Sequence, residues 1–290
     1  MNQPPTATGA FADRLVEACE KCGTPACVGI DPVLERLPDA VRAGQNNAAA
    51  AVGAFAEGVV HAVAGIVPVV KLQSACFERY GSAGFAALER TADAARRAGL
   101  VVILDAKRGD ISLSAGHYAA AAKNMGADAA TVNAYMGRSA VEPFLEAGLG
   151  VFVLVRTSNP DAGELQDAEF AEGGTVSERV AGMVAELGAE HFGERGLSGV
   201  GAVVGATAVE SAAVLRRQMP HAPFLVPGLG AQGGEVGSLD AMTRPEGGSG
   251  GLIPTASRSV LYPESSGGDW RDDVRAAATR FGEACAAALA

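Results

Sequence analysis

Eight short apolar runs recur along this chain, at residues 27–31, 67–73, 100–107, 129–135, 151–158, 199–207, 223–228 and 251–257. Their near-continuous apolar character, rich in Val, Ile and Leu, suits strands buried on both faces. Ala-, Glu- and Arg-rich stretches with helical spacing lie between them, at 48–65, 84–98, 115–126, 139–147, 175–192 and 208–218. A final helix is predicted over 269–289, with Asp269 as its N-cap. Eight alternating units predict an α/β chain forming one closed (β/α)8 TIM barrel. The barrel domain takes in residues 1–290, with 1–10 a flexible N-terminus. A doubly wound open sheet is the alternative. The eighth run departs furthest from the pattern, because glycines and Pro254 interrupt it.

Most runs end on a polar or special group: Asp31, Lys71 with Gln73, Asp105 with Lys107, Asn133, Thr157 with Ser158, Thr207, a glycine-rich turn, and Ser257 with Arg258. A barrel gathers such ends on one rim, where its chemistry is placed. An open sheet scatters them along a crevice. Two longer loops, 159–174 and 230–250, follow the fifth and seventh runs and are candidate lids.

Charge and composition exclude several classes of partner. The net charge is −10, from 23 basic and 33 acidic residues, so nucleic acid is not expected as a partner. Any phosphate must be held locally, by backbone amides and one or two cations. No apolar run is long enough for a membrane span, and residues 1–9 lack the apolar core of a secretory leader. The chain reads as soluble and cytoplasmic. Cys19, Cys22 and Cys27 raise the possibility of zinc, but no second ligand pair follows and the five cysteines are an odd count. Free thiols in a reducing compartment, and no metal, are expected. None of His61, His117, His191 and His221 falls at a strand end, which argues against a histidine-based triad.

The third run leads into Asp105-Ala106-Lys107-Arg108-Gly109-Asp110. Residues two apart on a strand share a face, so Asp105 and Lys107 project into one space. Buried opposite charges must pair, either as a strand-end salt bridge or as catalytic groups. Pro227-Gly228-Leu229-Gly230-Ala231-Gln232-Gly233-Gly234 is the second strong element. Its glycines, Gly230 and Gly233 among them, let backbone N–H groups approach an anion. Arg258, after the next run, offers a planar cation to the same phosphate. Thr157-Ser158-Asn159 suits recognition of a heterocycle's amide edge, or the local capping of a turn.

Taken together these elements resemble the orotidine 5′-phosphate decarboxylase family, and its longer bacterial branch in particular. The matching pieces are Gly29-Ile30-Asp31-Pro32, Val70-Lys71-Leu72-Gln73, the 105–110 motif, Val155-Arg156-Thr157-Ser158-Asn159-Pro160, the 227–234 loop and Ala256-Ser257-Arg258-Ser259. They run in family order across essentially the whole chain. The D-x-K-x-x-D element is shared with sister enzymes acting on sugar phosphates, whereas the glycine loop with its following Ser-Arg is more selective. The resemblance implies decarboxylation of orotidine 5′-phosphate to UMP, with no cofactor, in a homodimer with shared active sites. It implies that Lys71, Asp105, Lys107 and Asp110 form an alternating charge network. Lys107 would be the cation nearest C6 and its proton donor, with Asp105 beside the substrate carboxylate. Asp110 would reach the partner subunit's site. Asp31 and Lys71 would hold the ribose, Ser158 the pyrimidine edge and Arg258 the phosphate, with Gln232 bridging base and phosphate. Ser114 stands where the family usually has threonine, keeping a hydroxyl for the ribose.

Two rivals remain. One is a sugar-phosphate enzyme using Mg²⁺ to stabilise an enediolate, which requires a further carboxylate to hold the metal. The other is a non-catalytic barrel that binds a nucleotide, for which so costly a buried charge cluster has no use.

Overall fold

The structure is a computed structural model in which residues 10–229, 236–244 and 251–289 are described. All eight expected strands form: β1 (Cys27–Ile30), β2 (Val69–Gln73), β3 (Val101–Arg108), β4 (Ala129–Val132), β5 (Gly150–Arg156), β6 (Val200–Val204), β7 (Phe224–Val226) and β8 (Leu252–Ala256). Each pairs in parallel with the next, and β8 returns to β1 through Cys27↔Thr255 and Val28↔Ala256. The closed barrel forms and the open sheet does not.

Strand alternation explains the continuous apolar runs. Val28, Ile30, Val70, Leu72, Val102 and Leu104 belong to the core layer shared with the surrounding helices. Their sequence neighbours Cys27, Val69, Val101 and Ile103 fill the barrel interior with Phe152, Leu225 and Ile253. Both faces are dry, so both must be apolar.

A helix absent from the sequence expectations completes that interior. Helix α1 (Phe11–Cys22) sends Phe11, Leu15 and Cys19 into the same inner cluster. It closes the end where strands enter: Arg14 pairs with Asp128 just before β4 at 2.9 Å, and Phe11 packs edge-on to Phe152. Gly150, first in β5, is required there, since a Cβ would come within 2.1 Å of the Phe11 ring. The amino-terminal mouth is therefore plugged, and only the carboxyl-terminal mouth is left to hold a ligand.

The expected helices form as Ala48–Val63, Gly81–Arg97, Ser112–Asn124, Val176–Glu190, Val209–Gln218 and Trp270–Ala288. Asp269 caps the last by accepting from Arg271 N, as its position suggested, and Thr175 with Glu178 forms a capping box. Three of the expected segments take a different form. The fourth strand stops at Val132, because Asn133 accepts from Tyr135 N and turns the chain into a 3-10 turn over Ala134–Met136. Residues 139–147 are split between a 3-10 turn (Arg138–Ala140) and a short helix (Glu142–Glu146). The loop after β5 carries a 3-10 turn (Pro160–Ala162) and a helical turn (Gly163–Gln166). All five cysteines are free thiols, and burial pushes Cys19, Cys27 and Cys285 up to about 12. No described helix is long and apolar enough to cross a membrane.

The seventh and eighth units are laced together by one buried cation. Arg216 donates to the carbonyls of Met219 (3.0 Å), Ala222 (2.8 Å), Met242 (2.8 Å) and Gly251 (3.0 Å), and lies 3.5 Å over the Phe224 ring. Burial pushes its pKa down to about 9, still above neutrality. Arg216→Met is expected to cost about 3 kcal/mol or more, because several buried carbonyls lose their donor together. The denaturant midpoint of the folded variant measures this, and an unchanged midpoint would contradict it.

Candidate active site

The inward register of β2, β3 and β4 turns from apolar to polar toward the carboxyl end. On β2, Val69 gives way to Lys71 and Gln73; on β3, Val101 and Ile103 give way to Asp105 and Lys107; on β4, Ala129 gives way to Thr131. These side chains line a cavity of about 500 Å³ at the carboxyl-terminal mouth, with Leu154, Val203 and Leu225 contributing apolar surface from the barrel interior.

Four of the predicted residues form one line of alternating charge. Asp31 lies 3.7 Å from Lys71 Nζ, Lys71 Nζ donates to Asp105 Oδ2 at 2.6 Å, and Lys107 Nζ donates to Asp105 Oδ1 at 2.6 Å. Lys71 and Asp105 are buried, while the Lys107 side chain is 46 % exposed toward the cavity. Burial by itself penalises the charged forms of both buried groups. The attraction of Asp31 and Asp105 outweighs it at Lys71, whose pKa stays above the usual lysine range. The attraction of Lys71 and Lys107 outweighs it at Asp105, whose carboxyl stays below the usual carboxylate range. Lys71 and Asp105 therefore both stay ionised at neutral pH. Asp31 Oδ1 is buried and accepts no hydrogen bond from the described residues, so a hydroxyl donor brought in by a ligand matches it.

Asp105 and Lys107 do share a space, but not through regular alternation. The β3–β4 register slips between Leu104↔Ala130 and Arg108↔Val132, and Lys107 adopts φ 47°, the only positive φ outside glycine among the described residues. A left-handed lysine costs about 1–2 kcal/mol; such strain tends to collect at functional sites.

Ser158 and Arg258 line the same cavity from the ends of β5 and β8. Ser158 sits against Gly205, where a Cβ would come within 2.7 Å of it; the bare glycine lets the β5 end approach β6. Its neighbours Thr157 and Asn159 are bound locally, by a hydroxyl donation of 2.6 Å, and Gln166 holds the Thr157 N–H and hydroxyl. All three residues of this triplet line the cavity. Gly230, Gln232 and Gly233 lie outside the described residues, while Pro227, Gly228 and Leu229, which lead into them, line the cavity.

Asp110 and Ser114 are not brought to the cavity of their own chain. Asp110 accepts from its neighbour Ile111 N at 2.8 Å, and Ser114 lies in the first turn of the helix Ser112–Asn124. Two of the polar strand ends anticipated from sequence are also elsewhere. Asn133 caps its own turn and Thr207 is exposed, so the β4 end is represented by Thr131 instead. Gln73, which donates to Asp105 Oδ2 at 3.2 Å, and Gln166 are further lining residues without a role assigned from sequence. Inward parity with Lys71 marks Gln73; nothing local marks Gln166. Among the described residues no three His, Cys, Asp or Glu side chains gather in a way that would hold a metal ion.

The chain is similar along most of its length to known proteins. Residues 25–271 match the model of the "Orotidine 5'-phosphate decarboxylase / HUMPS family". The orotidine 5′-phosphate decarboxylase of Rhodopirellula baltica is 40% identical over 94% of this chain and 98% of its own length. That of Salinispora tropica is 42% identical over 97% and 98%. Among solved structures, a Streptomyces avermitilis protein assigned as the same decarboxylase superposes with TM-score 0.83 at 39% identity, covering 100% of this chain and 99% of that one. The OMP decarboxylase of Leishmania donovani gives TM-score 0.78 at 31% identity, covering 97% and 99%. With matches this long, reaching from the entry of β1 into the last helix, the chain belongs to the orotidine 5′-phosphate decarboxylase family.

Proposed function

We propose that the protein decarboxylates orotidine 5′-phosphate to UMP, the closing step of pyrimidine nucleotide synthesis, with no metal or organic cofactor. The observation that carries this reading is the alternating line ending in the half-exposed Lys107 ammonium. Loss of CO₂ breaks the C6–carboxyl bond and leaves the electron pair on C6, with no adjacent carbonyl to delocalise it. A fixed ammonium stabilises that charge as it develops and then donates its proton to C6. Lys107 has this role, and solvent returns its proton. Asp105, held ionised by Lys71, lies beside the substrate carboxylate and favours its departure. Asp31 and Lys71 hold the ribose hydroxyls, Ser158 reads the pyrimidine edge, and Arg258 with the glycine loop (Gly230, Gln232 and Gly233) holds the phosphate.

Loss of substrate absorbance on adding purified protein to orotidine 5′-phosphate tests the reading. The rate is expected to survive exhaustive EDTA treatment. Failure to turn over the substrate would overturn the activity; loss on chelation restored by Mg²⁺ or Zn²⁺ would overturn metal independence.

The phosphate assignment has its own test. A charge-assisted contact of this kind contributes about 1.5–3 kcal/mol. Arg258→Ala should therefore lower kcat/KM for the nucleotide by about tenfold or more. The phosphate-free nucleoside should be turned over as well by the variant as by the wild type. Equal damage to both substrates would remove Arg258 from the phosphate site.

We also propose that the working unit is a homodimer in which Asp110 and Ser114 serve the neighbouring site. Both residues lie off the cavity of their own chain, beside exposed apolar side chains: Ile111 is 61% exposed, Leu113 75%, Tyr135 83% and Met136 52%. The two loops bearing them are packed together, with Asn133 N donating to Arg108 O at 2.7 Å. An exposed apolar group of this size fits burial against a second copy.

A further inference from the structure

Thr131 stands under the charge line and belongs to none of the roles above. It is 1% exposed, and its hydroxyl makes two contacts of 2.9 Å, one with Lys107 N and one with Asp105 Oδ1. The direction of both bonds is fixed. A backbone N–H only donates, so Thr131 Oγ1 accepts from Lys107, and its single proton is then available to Asp105. Asp105 Oδ1 also receives the Lys107 ammonium. A closed circuit results: Lys107 N–H to Thr131, Thr131 O–H to Asp105, and Asp105 back to the Lys107 side chain.

The ladder explains why a side chain is needed at this point. Leu104 pairs with Ala130 and Arg108 with Val132, so Asp105, Ala106 and Lys107 all lie opposite the single residue Thr131. The Lys107 amide is out of step with the β4 backbone, and a buried N–H without an acceptor is costly. The Thr131 hydroxyl is that acceptor. It anchors the backbone at the left-handed φ of 47°. A β-branched side chain on a strand has few χ1 choices, so the hydroxyl is itself held in place.

We propose that Thr131 is a positioning residue: through its hydroxyl it fixes where the Lys107 ammonium stands relative to Asp105, and so acts on the chemical step more than on substrate binding. The inference rests on the reading that Lys107 acts at C6. Thr131→Val keeps the shape and removes the hydroxyl, and Thr131→Ser keeps the hydroxyl and removes the methyl. Misplacing a reacting group by ~1 Å can cost on the order of a hundredfold, so the valine variant should lose about tenfold or more in kcat, with KM changed by no more than about threefold. The serine variant should recover most of the loss. In a Lys107→Ala background the valine substitution should cost nothing further. Thr131→Ala takes its place should the valine chain not fold.

A valine variant within about twofold of wild-type kcat would overturn the proposal, as would a serine variant as poor as the valine one, or a loss confined to KM. Crystal structures of the wild type and the valine variant give a readout independent of substrate. The Lys107 backbone is expected to leave its left-handed conformation or its ammonium to leave Asp105; unchanged positions would overturn the proposal. A wild type that leaves orotidine 5′-phosphate untouched defeats the functional reading, while this geometric comparison still decides whether Thr131 positions Lys107.

Discussion

Lys107→Ala is expected to abolish nearly all turnover while substrate binding weakens far less. On the proposed mechanism two contributions vanish together: the cation that stabilises the developing C6 charge and the acid that protonates it. Loss of a preorganised electrostatic contact costs about 10²–10³-fold, and loss of a general acid about 10²–10⁴-fold, so kcat should fall by about 10³-fold or more. The variant should remain folded. Asp105 keeps its bonds from Lys71, Thr131 and Gln73, so its buried carboxylate is still compensated. The departing side chain is half-exposed and leaves little packing behind. Single-turnover rates beside the Kd for UMP separate the two effects. A variant retaining more than a few per cent of wild-type kcat would remove Lys107 from the chemical step.

Lys71 offers a useful contrast. Its ammonium is buried between Asp31 and Asp105, and removing it leaves a carboxylate in the barrel with one fewer cation. An effect on activity there is mixed with an effect on stability, because breaking a buried pair strands the remaining charge. Lys107 is the cleaner probe of chemistry since it stands at the solvent end of the line.

The barrel was legible because its cause is local. Strands buried on both faces must be apolar at every position, and the helices between them must repeat every three or four residues; both constraints leave their mark on contiguous residues. Even the eighth strand survives its proline, since its ladder to β1 begins at Thr255, one residue past Pro254. The positions of Asp31, Lys71, Asp105 and Lys107 at the ends of apolar runs were legible for the same reason; an alternating charge network was implied by the family resemblance alone, with Asp110 where the structure has Asp31.

What the sequence does not display depends on contacts between distant segments. Phe11, Leu15 and Cys19 have helical spacing, but only the closed barrel makes a plug of them. The slip between β3 and β4 selects Thr131 over Asn133, and a register slip leaves no trace in either strand alone. Gln166 reaches Thr157 from nine residues away through a loop whose folding was not apparent. Arg216 looks like any helix-terminal arginine until the carbonyls of the segments entering β7 and β8 converge on it.

Mixing two inactive variants should restore activity if the site is shared. Asp110 lies three residues past Lys107, beyond the end of β3, and among the described residues bonds only to its own following amide. In a two-fold dimer each site would then combine Lys107 of one chain with Asp110 of the other. Lys107→Ala and Asp110→Ala homodimers should each be nearly inactive, since every site in either carries a defect. After reversible dissociation and mixing in equal amounts, random reassociation makes half the dimers mixed. In a mixed dimer one site carries both defects and the other carries neither, so about a quarter of wild-type activity should return. The recovery must follow subunit exchange, measured in parallel with differently labelled chains. Confirmed exchange without any returning activity would place Asp110 in the service of its own chain, and the exposed Ile111, Leu113, Tyr135 and Met136 would then need another explanation.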